Sequence, residues 1–482
     1  MPPIDPVTGL NRDQRLSSTR GPRCTEPHVV VVGGGLAGLA AAAALADGGC
    51  RVTVCEGRRR VGGRAASFDD PAGNPVDACQ HVAMGCCTNF LDLCRQAGIS
   101  AGFRRDRTMW FIAPDNARAE CTPSRLLPAP LHLAPLLLGM RHFSLIEKTQ
   151  LAFGMLRLAR LRPAAAARRT AGEWLAGIGQ PQSVIRLFWQ PVLESALGES
   201  IDLVSITAAR KVAVDGFLAH RDAADLHVPT LPLGVLFGER LLGWLRQRRV
   251  EVKTGMPVTG LELGADGRVA GVRCGGQLID CDGVVVAVPW RAAGRLLPGM
   301  VPVADEQLTA SPITAVHLWF DRQIIDVAHA VLIGRVSQWV FRSDAAPDQP
   351  GSGYCQVVIS ASRGLLGGDR DAVVATVVAE LREAFPGARD ARLIDARVVT
   401  DPTAVLSVRP GVDDVRPPAT TAVPNLVLAG DWTATGWPST MEGAVRSGRL
   451  AAAALCPALG RPAAHLTPDL PRGLLARIVL GR

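Results

Sequence analysis

A single stretch near the beginning of the chain, from His28 to Arg64, constrains the fold more than any other part of the sequence. A run of four valines, Val29–Val32, predicts a strand that is buried on both faces of a parallel sheet. The pattern Gly33-x-Gly35-x-x-Gly38 follows at once and opens an alanine-rich helix that we expect to reach Asp47. Glycines in this order allow a tight turn, the approach of a pyrophosphate to the backbone, and close packing of helix on sheet. This stretch therefore predicts a dinucleotide-binding βαβ unit.

The residues that follow complete the unit. A second predicted strand, Arg51–Cys55, ends at Glu56, where a carboxylate can accept hydrogen bonds from a ribose diol. The free N–H groups and the positive dipole end of the intervening helix would face the phosphates. Because strand, glycines, helix, second strand and acid occur in this order, we interpret the segment as nucleotide-binding rather than as an ordinary α/β turn.

Composition excludes several classes of function. The chain has 482 residues, of which 48% are hydrophobic, so it is long enough for two or more domains and is not a disordered protein. Its net charge of +8 comes almost wholly from arginine, and no basic run alternates with aromatic residues, which argues against nucleic acid as a partner. The twelve cysteines include no Cys-x-x-Cys pair and no Cys/His spacing that suits zinc. We therefore expect buried thiols in a reducing cytoplasm and no metal.

Hydrophobic periodicity divides the remaining chain between two domains of an α/β fold. Three pieces, 28–98, 229–298 and 421–458, are predicted to form a discontinuous nucleotide-binding domain of the Rossmann type. Two pieces, 99–228 and 299–420, are predicted to form an inserted α+β substrate-binding domain. The second domain should contain a long helical region, Leu126 to about Arg169, and an antiparallel sheet built from Thr314–Phe320, Ser337–Phe341 and Gln356–Ser360. We expect residues 1–27 to be a disordered tail and 459–482 to be a second tail.

Several blocks together resemble one family. Arg60-x-Gly62-Gly63-Arg64 resembles the extended motif of the FAD-dependent amine oxidase and phytoene desaturase superfamily, with its GR2-type flavoprotein fold. The blocks QHVAMGCCTNF (80–90), LPAPLHL (127–133), FWQPVLESAL (188–197) and LVLAGDWTATGWPSTMEGAVRSGRLAA (426–452) are similar to the hydroxysqualene dehydroxylases within that superfamily. The resemblance spans residues 28 to 455 and implies FAD as the cofactor.

The resemblance and the motifs together predict a set of cofactor contacts. In the last block, Asp431 would accept from a ribityl hydroxyl, and the helix that starts at Glu442 would stabilise charge on the reduced flavin. Val258 would flank the adenine. The cofactor-binding residues that we expect are Gly33, Gly35, Leu36, Ala37, Gly38, Glu56, Gly57, Arg58, Gly62, Gly63, Arg64, Val258, Gly430, Asp431, Glu442, Gly443 and Ala444. Binding should be non-covalent, because no cysteine lies between Cys355 and Cys456.

The family reaction is reductive: hydroxysqualene loses its allylic hydroxyl, gains a hydride and becomes squalene. It needs a proton donor for the leaving hydroxyl and a dry apolar pocket. Our first candidate for the donor is His81, and the others are Asp77 and Glu194, with Glu442 near the flavin. His81 has an alternative role, in which it fixes a loop through a backbone hydrogen bond, and Asp77 has one as a loop-capping carboxylate.

Three other functions remain open. A carotenoid desaturase or isomerase would use the same fold and a similar tunnel. An amine oxidase is disfavoured, because the chain has no lysine after Lys253 and its only tyrosine is Tyr354. A flavin-bearing scaffold in a terpenoid complex is a non-enzymatic alternative.

The sequence also suggests partners and a location. No second strand–glycine–helix motif occurs, so we expect a separate electron donor. Leu126–Met140 is apolar but too short to span a bilayer, and the last ten residues, 473–482, combine an apolar stretch with arginines. We expect a cytoplasmic protein that binds peripherally to the inner face of the membrane, with a long-chain isoprenoid as substrate. The alternatives are that the first stretch lines the substrate tunnel and that the tail is disordered.

Overall fold

The computed structural model describes residues 26–70, 73–162, 168–299, 307–344 and 351–480. Except for its last two positions, the predicted disordered tail, 1–27, lies outside these ranges.

The nucleotide-binding sheet is parallel and forms around the valine run. Within the described residues it has five strands, in the order Glu251–Thr254, Arg51–Glu56, His28–Val32, Gly283–Val286 and Leu426–Leu428. The central strand is buried at every position, which is why it can be apolar throughout instead of alternating. The predicted Rossmann-type α/β architecture is confirmed.

Two helices pack together beside this sheet. The first, Leu36–Asp47, is buried on nearly all sides, so its small alanines suit it better than an amphipathic pattern would. The second, Met441–Ala458, begins at Thr440, whose hydroxyl accepts a hydrogen bond from the amide of Gly443 at 3.1 Å. Because each helix begins in a cofactor motif, their packing brings the first and the last cofactor motifs of the sequence together.

A larger sheet lies in the segments that were predicted to form the substrate domain. Its neighbouring strands pair antiparallel, except that His329–Leu332 runs parallel to Met109–Ile112. Within the described residues the strand order is Leu393–Leu406, Ala310–Phe320, Tyr354–Ile359, Trp339–Arg342, His329–Leu332, Met109–Ile112 and Arg118–Cys121. The predicted antiparallel sheet of an α+β domain is thus confirmed, and it has more strands than the sequence pattern indicated.

The predicted long helical region, 126–169, is not continuous. Helical turns occur at Leu131–Leu133 and Ala134–Gly139, and one longer helix covers Leu145–Ala159. Prolines at 128 and 130 interrupt the first part, since proline has no N–H and disfavours helical conformation at the residue before it, whereas Pro135 lies in the first turn of Ala134–Gly139, where proline is tolerated. Ser144 then starts the longer helix with a capping box, in which its side chain and that of Glu147 each bind the other's backbone amide.

Shorter helices and three small sheets make up the rest of the regular structure in the described residues. The remaining helical segments are Thr88–Gln96, Ser100–Gly102, Ala171–Gly177, Gln182–Val184, Ile185–Trp189, Gln190–Leu197, Ile206–Ala213, Val214–Leu218, Gly234–Leu241, Leu242–Gln247, Trp290–Leu296, Ser362–Leu365, Arg370–Ala384, Pro386–Ala388, Val412–Val415 and Leu474–Leu480. The small antiparallel sheets contain Val258–Leu263, Val269–Cys274 and Gln277–Asp280; Ser67–Asp69 and Pro75–Asp77; and Ala83–Met84, Leu226–Pro229 and Phe103–Asp106. All cysteines in the described ranges are free thiols, and most are buried.

Candidate functional site

The turn after the first strand depends on glycine. Gly33 has φ of +108°, a conformation that side chains disfavour, and a Cβ there would lie 2.6 Å from the carbonyl oxygen of Ala287. A Cβ on Gly38 would lie 1.9 Å from the carbonyl oxygen of Gly33. These two glycines therefore let the helix Leu36–Asp47 start directly on the sheet.

Gly35 differs from its neighbours, because the nearest protein atom to a Cβ at this position is the Gly63 Cα, 3.9 Å away. The protein itself does not require glycine here, whereas a ligand that approaches the backbone would. The amide of Gly62 donates to the carbonyl of Gly34 at 2.8 Å, which holds the second glycine pair over the first turn. No side chain of the described residues caps the helix that begins at Leu36. This open, uncapped cradle fits the pyrophosphate of FAD.

Glu56 lies at the mouth of a neighbouring cavity. One carboxylate oxygen accepts from the amide of Gly34 and the other from the amide of Arg58, both at 2.7 Å. The cavity has a volume of about 240 Å³, and its lining includes Glu56, Gly57 and Val258. The residues that were predicted to bind the ribose and the adenine thus line the same cavity beside the cradle.

Asp431 and Arg64 meet across the site from opposite ends of the sequence. The guanidinium of Arg64 donates to Asp431 at 2.5 Å, and the hydroxyl of Ser439 also donates to this carboxylate. Desolvation acts against the charge of Arg64, but the Asp431 carboxylate keeps the pKa of Arg64 above its usual value. Asp431 is therefore held in place beside Gly430, and a ribityl hydroxyl would share a carboxylate that already has two donors.

The side chain of Glu442 does not face the cradle. Its carboxylate is fully buried and accepts from the amides of Asn89 and Phe90, at 3.2 and 2.8 Å. It thereby satisfies the first amides of the helix Thr88–Gln96, with Arg446 as counterion at 3.4 Å. This placement does not support the side chain of Glu442 as a proton donor near the flavin, whereas the predicted contact of the flavin with the backbone amides of the Glu442–Ala444 turn stays a prediction.

The loop from Asp77 to His81 lies near Arg64, whose positive charge acts on the His81 ring. Burial raises the pKa of the Cys79 thiol, and burial, together with the Arg64 charge, lowers the pKa of His81. The side chains of Cys79 and His81 nevertheless keep part of their surface exposed, as does Arg64 with 35% of its side chain.

His81 is held by its own loop. Its Nδ1 lies 2.7 Å from the carbonyl oxygen of Cys79, and since a carbonyl only accepts, Nδ1 carries the proton. Burial lowers the pKa of His81, so the ring is neutral at pH 7 and its Nε2 is an acceptor. This geometry supports the loop-fixing role over the proton-donor role that we expected for His81.

The two carboxyl candidates are placed differently. Burial raises the pKa of Asp77 to about 6, even though one of its oxygens accepts from the Leu233 amide and the Ser67 hydroxyl, each at 2.7 Å. Asp77 lies in the same loop as His81. Burial also raises the pKa of Glu194, but this side chain is enclosed in the wall of the helical region, where it accepts from the amide of Ile201 at 3.3 Å. The structure does not bring Glu194 into hydrogen-bond contact with Asp77 or His81.

Sequence reasoning missed the polar cluster on the large sheet that faces this loop. Gln356 accepts from the amide of Gln80 and donates to the main-chain oxygen of Asp77 at 3.0 Å. The same Gln356 amide donates to the hydroxyl of Tyr354 at 3.0 Å, and His317 Nδ1 lies 2.9 Å from that hydroxyl. These residues lie on two adjacent strands in the period-2 pattern that we had interpreted only as a half-buried sheet; the buried polar positions in that pattern were the available signal.

Comparison with known proteins agrees with this geometry. A sequence profile of the flavin-containing amine oxidoreductase family matches residues 36–456. The 15-cis-phytoene desaturase of Synechococcus elongatus is 26% identical over 458 residues, which cover 89% of this chain and 95% of that protein. The 15-cis-phytoene desaturase of Solanum lycopersicum is 26% identical over 488 residues, which cover 94% of this chain and 82% of that protein.

Solved structures show the same fold. An oxidoreductase from Methanosarcina mazei superposes with a TM-score of 0.68 at 17% identity, over 87% of this chain and 98% of that one. Cyclohexylamine oxidase from Brevibacterium oxydans superposes with a TM-score of 0.62 at 20% identity, over 89% of this chain and 99% of that one. The profile match, together with a cradle that fits FAD, shows that this chain belongs to the flavin-containing amine oxidoreductase family and is an FAD-dependent oxidoreductase.

Proposed function

We propose that this protein reduces hydroxysqualene to squalene. The observation that carries the proposal is the carboxyl of Asp77, whose pKa of about 6 keeps a share of it protonated near neutral pH in the loop beside the cradle. Dehydroxylation needs such an acid, because hydroxide is a poor leaving group without a proton. The similarity of blocks 80–90, 188–197 and 426–452 to the dehydroxylases supports the same assignment.

Bound FAD in its reduced form supplies a hydride. In the overall reaction the allylic C–O bond breaks, the hydroxyl leaves with a proton as water, and the carbon forms a new C–H bond. Hydroxysqualene, one hydride and one proton thus give squalene and water. The two electrons come from a separate donor that reduces the flavin again.

Each residue of the loop has its own task in this proposal. Asp77 gives the proton from Oδ2, which accepts no hydrogen bond from a described residue, while Oδ1 holds Leu233 and Ser67. His81, neutral and hydrogen-bonded to Cys79, keeps the loop in shape. Gln356 fixes the loop to the sheet through its bonds to Gln80 and Asp77.

The large sheet supplies a water-poor wall. The rings of His317, Trp319 and Tyr354 pack together, with centroids 5.2–6.1 Å apart. Aromatic and apolar side chains suit a long hydrocarbon and keep bulk water from a developing allylic cation.

A second candidate is desaturation of a carotenoid precursor. It is favoured by the similarity to phytoene desaturases along nearly the whole chain. The chemistry runs in the opposite direction, since the substrate would lose a hydride and a proton instead of gaining them. Amine oxidation stays disfavoured, because the chain has no lysine after Lys253.

The direction of the reaction separates these candidates. The FAD-loaded protein is photoreduced without oxygen and mixed with hydroxysqualene, and in parallel the oxidised protein is mixed with phytoene. We expect flavin reoxidation together with squalene in the first mixture and no flavin reduction in the second. Reduction of the flavin by phytoene, with no turnover of hydroxysqualene, would show that the protein is a desaturase.

A further inference from the structure

Exposed apolar side chains are concentrated in two segments of the chain. Fourteen large hydrophobic residues are exposed in the described ranges, and nine of them lie between 126 and 153 or between 474 and 478. The six most exposed of these have 65–92% of their surface in solvent. They are Leu126, Leu138, Leu145, Ile146, Leu474 and Ile478. Isolated surface leucines are ordinary, but such a concentration indicates a binding surface.

The C-terminal helix, Leu474–Leu480, packs beside the first segment. Its residues Ala476 and Leu480 are buried against Ala129 and Ala159. The backbone is held too, because the side chain of Arg160 donates to the carbonyl of Val479 at 2.7 Å. The helix is therefore a docked element and not a free tail.

The opposite face of this helix is apolar but uncovered. Leu474 and Ile478 are four positions apart, so they lie on one side of the helix, while Ala476 and Leu480 form the buried side. Docking of the helix thus places two exposed apolar residues beside Ala129 and beside Ala159, the last residue of the helix Leu145–Ala159 that carries Leu145 and Ile146. We call this joint surface, formed by 126–153 and 474–480, the apolar platform.

Basic residues surround the platform. Residues 121–162 contain six basic residues and one acid, Glu147, whose carboxylate is engaged by Ser144 and Ser183. Residues 470–482 contain three arginines and no acid. Arg141, Arg157 and Arg477 are exposed, and the guanidinium of Arg157 lies over the ring of Phe153. The charge around the platform is therefore positive, complementary to anionic head groups.

The geometry points to the apolar platform as a docking surface for an anionic lipid bilayer, on which the protein lies without crossing it. None of the described helices is long and apolar enough to cross a membrane. Apolar side chains in a shallow layer, flanked by arginines with little acidic charge, are typical of interfacial binding. A bilayer accepts such a surface without needing a shape-matched partner. This inference concerns where the protein works and holds whichever isoprenoid it converts.

Flotation with vesicles tests the platform directly. Full-length FAD-loaded protein is centrifuged with vesicles of phosphatidylcholine alone or of phosphatidylcholine mixed with phosphatidylglycerol. We expect the wild-type protein to float with the mixed vesicles at low salt, and to float less with the neutral ones. The double variants Leu474→Asp/Ile478→Asp and Leu145→Asp/Ile146→Asp should each bind at least about tenfold more weakly, since each inserts charge into the contact layer.

A matched control uses apolar residues outside the platform that are exposed to a similar degree. Ile394→Asp/Leu366→Asp introduces the same charge at residues with 56% and 46% exposure and should float like the wild type. Bound FAD and melting temperature show that every variant is folded. The inference is wrong if folded wild-type protein stays at the bottom with both kinds of vesicle, or if the Leu474→Asp/Ile478→Asp protein floats as well as the wild type. A concentration-dependent dimer that the platform variants abolish, with no vesicle binding, would assign the surface to self-association instead.

Discussion

Gly448 lies directly against the backbone of Ala37: a Cβ at Gly448 would stand 2.2 Å from the Ala37 carbonyl oxygen and 2.8 Å from the Ala41 amide nitrogen. This contact joins the helix Met441–Ala458 to the helix Leu36–Asp47, which begins at the glycine cradle. The first and last cofactor motifs therefore keep their relative positions through one point of backbone packing.

Replacing Gly448 should separate the two helices. Gly448→Val adds a branched side chain where there is no room, so we expect a loss of about 1–3 kcal/mol or more of unfolding free energy and weaker FAD retention. Gly243→Ala is the control, because Gly243 is also helical and nothing lies within 4 Å of its Cβ position. It should be neutral or slightly stabilising. Thermal unfolding and the flavin-to-protein ratio measure both variants; a fully FAD-loaded, equally stable Gly448→Val protein would contradict this packing argument.

Glu56 should control retention of the cofactor. Glu56→Ala removes the carboxylate that holds Gly34 and Arg58 and that faces the ribose side of the cavity. Hydrogen bonds to charged groups contribute about 1.5–3 kcal/mol each, so FAD affinity should fall roughly 10–100-fold. Gel filtration followed by flavin absorbance measures the loss. Acid denaturation of the wild type should release all flavin into the supernatant, and yellow precipitate would show covalent attachment.

Asparagine substitutions separate the roles of His81 and Asp77. His81→Asn keeps an amide that can donate to the carbonyl of Cys79, so this variant should retain most activity, whereas His81→Ala should lose loop order. Asp77→Asn keeps the shape and the acceptor oxygen but cannot give a proton, and turnover should fall by about 10²–10⁴-fold with FAD still bound. Single-turnover reoxidation of the reduced flavin measures each rate. An active Asp77→Asn enzyme together with an inactive His81→Asn enzyme would return the proton-donor role to His81.

Buried histidines should make the protein sensitive to acid. Burial lowers the pKa of His132 and of His317 to about 4, whereas an unfolded histidine titrates near 6.5. The unfolded state binds the proton first, so their contribution to stability is complete above pH 6.5 and is lost as pH falls toward 4. For each histidine, the difference between its pKa in the unfolded and in the folded state corresponds to about 3 kcal/mol of unfolding free energy at most.

Variant comparison isolates this effect. His132 is fully buried, and neither ring nitrogen has a hydrogen-bond partner in the described structure. His132→Leu should therefore reduce the loss of unfolding free energy between pH 6.5 and pH 4, as measured by denaturant titration. The raised pKa of Asp77 has the opposite effect on stability, because protonation of Asp77 favours the folded state over the unfolded state. Asp77 is present in both proteins, so its effect cancels in the comparison. An identical pH dependence in the two proteins would show that His132 does not titrate as described.

Local features of the sequence were sufficient to predict the cofactor cradle. The valine run, Gly33-x-Gly35-x-x-Gly38 and Glu56 predicted a strand, a helix and an acid at the end of a second strand, and the structure contains all three. The contact of Glu56 with a ribose stays a prediction. Turn geometry and helix starts depend on a few neighbouring residues, so the pattern itself carries the information. The strand Leu393–Leu406 was missed for a local reason as well: it contains Asp401 and Pro402, and it tolerates the proline because it is an edge strand with a register shift at that point.

Contacts between distant residues were decided only by tertiary structure. Gln356 binds Asp77 from 279 positions away, and Glu442 caps the helix at Asn89 from 353 positions away. No periodicity links such residues, because their partners depend on how the sheet and helices pack. Packing likewise decided that the carboxylate of Glu442 caps a neighbouring helix, that burial moves the pKa values of His81 and Asp77 in opposite directions, and that the C-terminal helix docks beside Ala129 and Ala159. The sequence by itself determined which cofactor motifs the chain carries, and the packing of segments far apart in sequence decided which side chains meet beside the cradle.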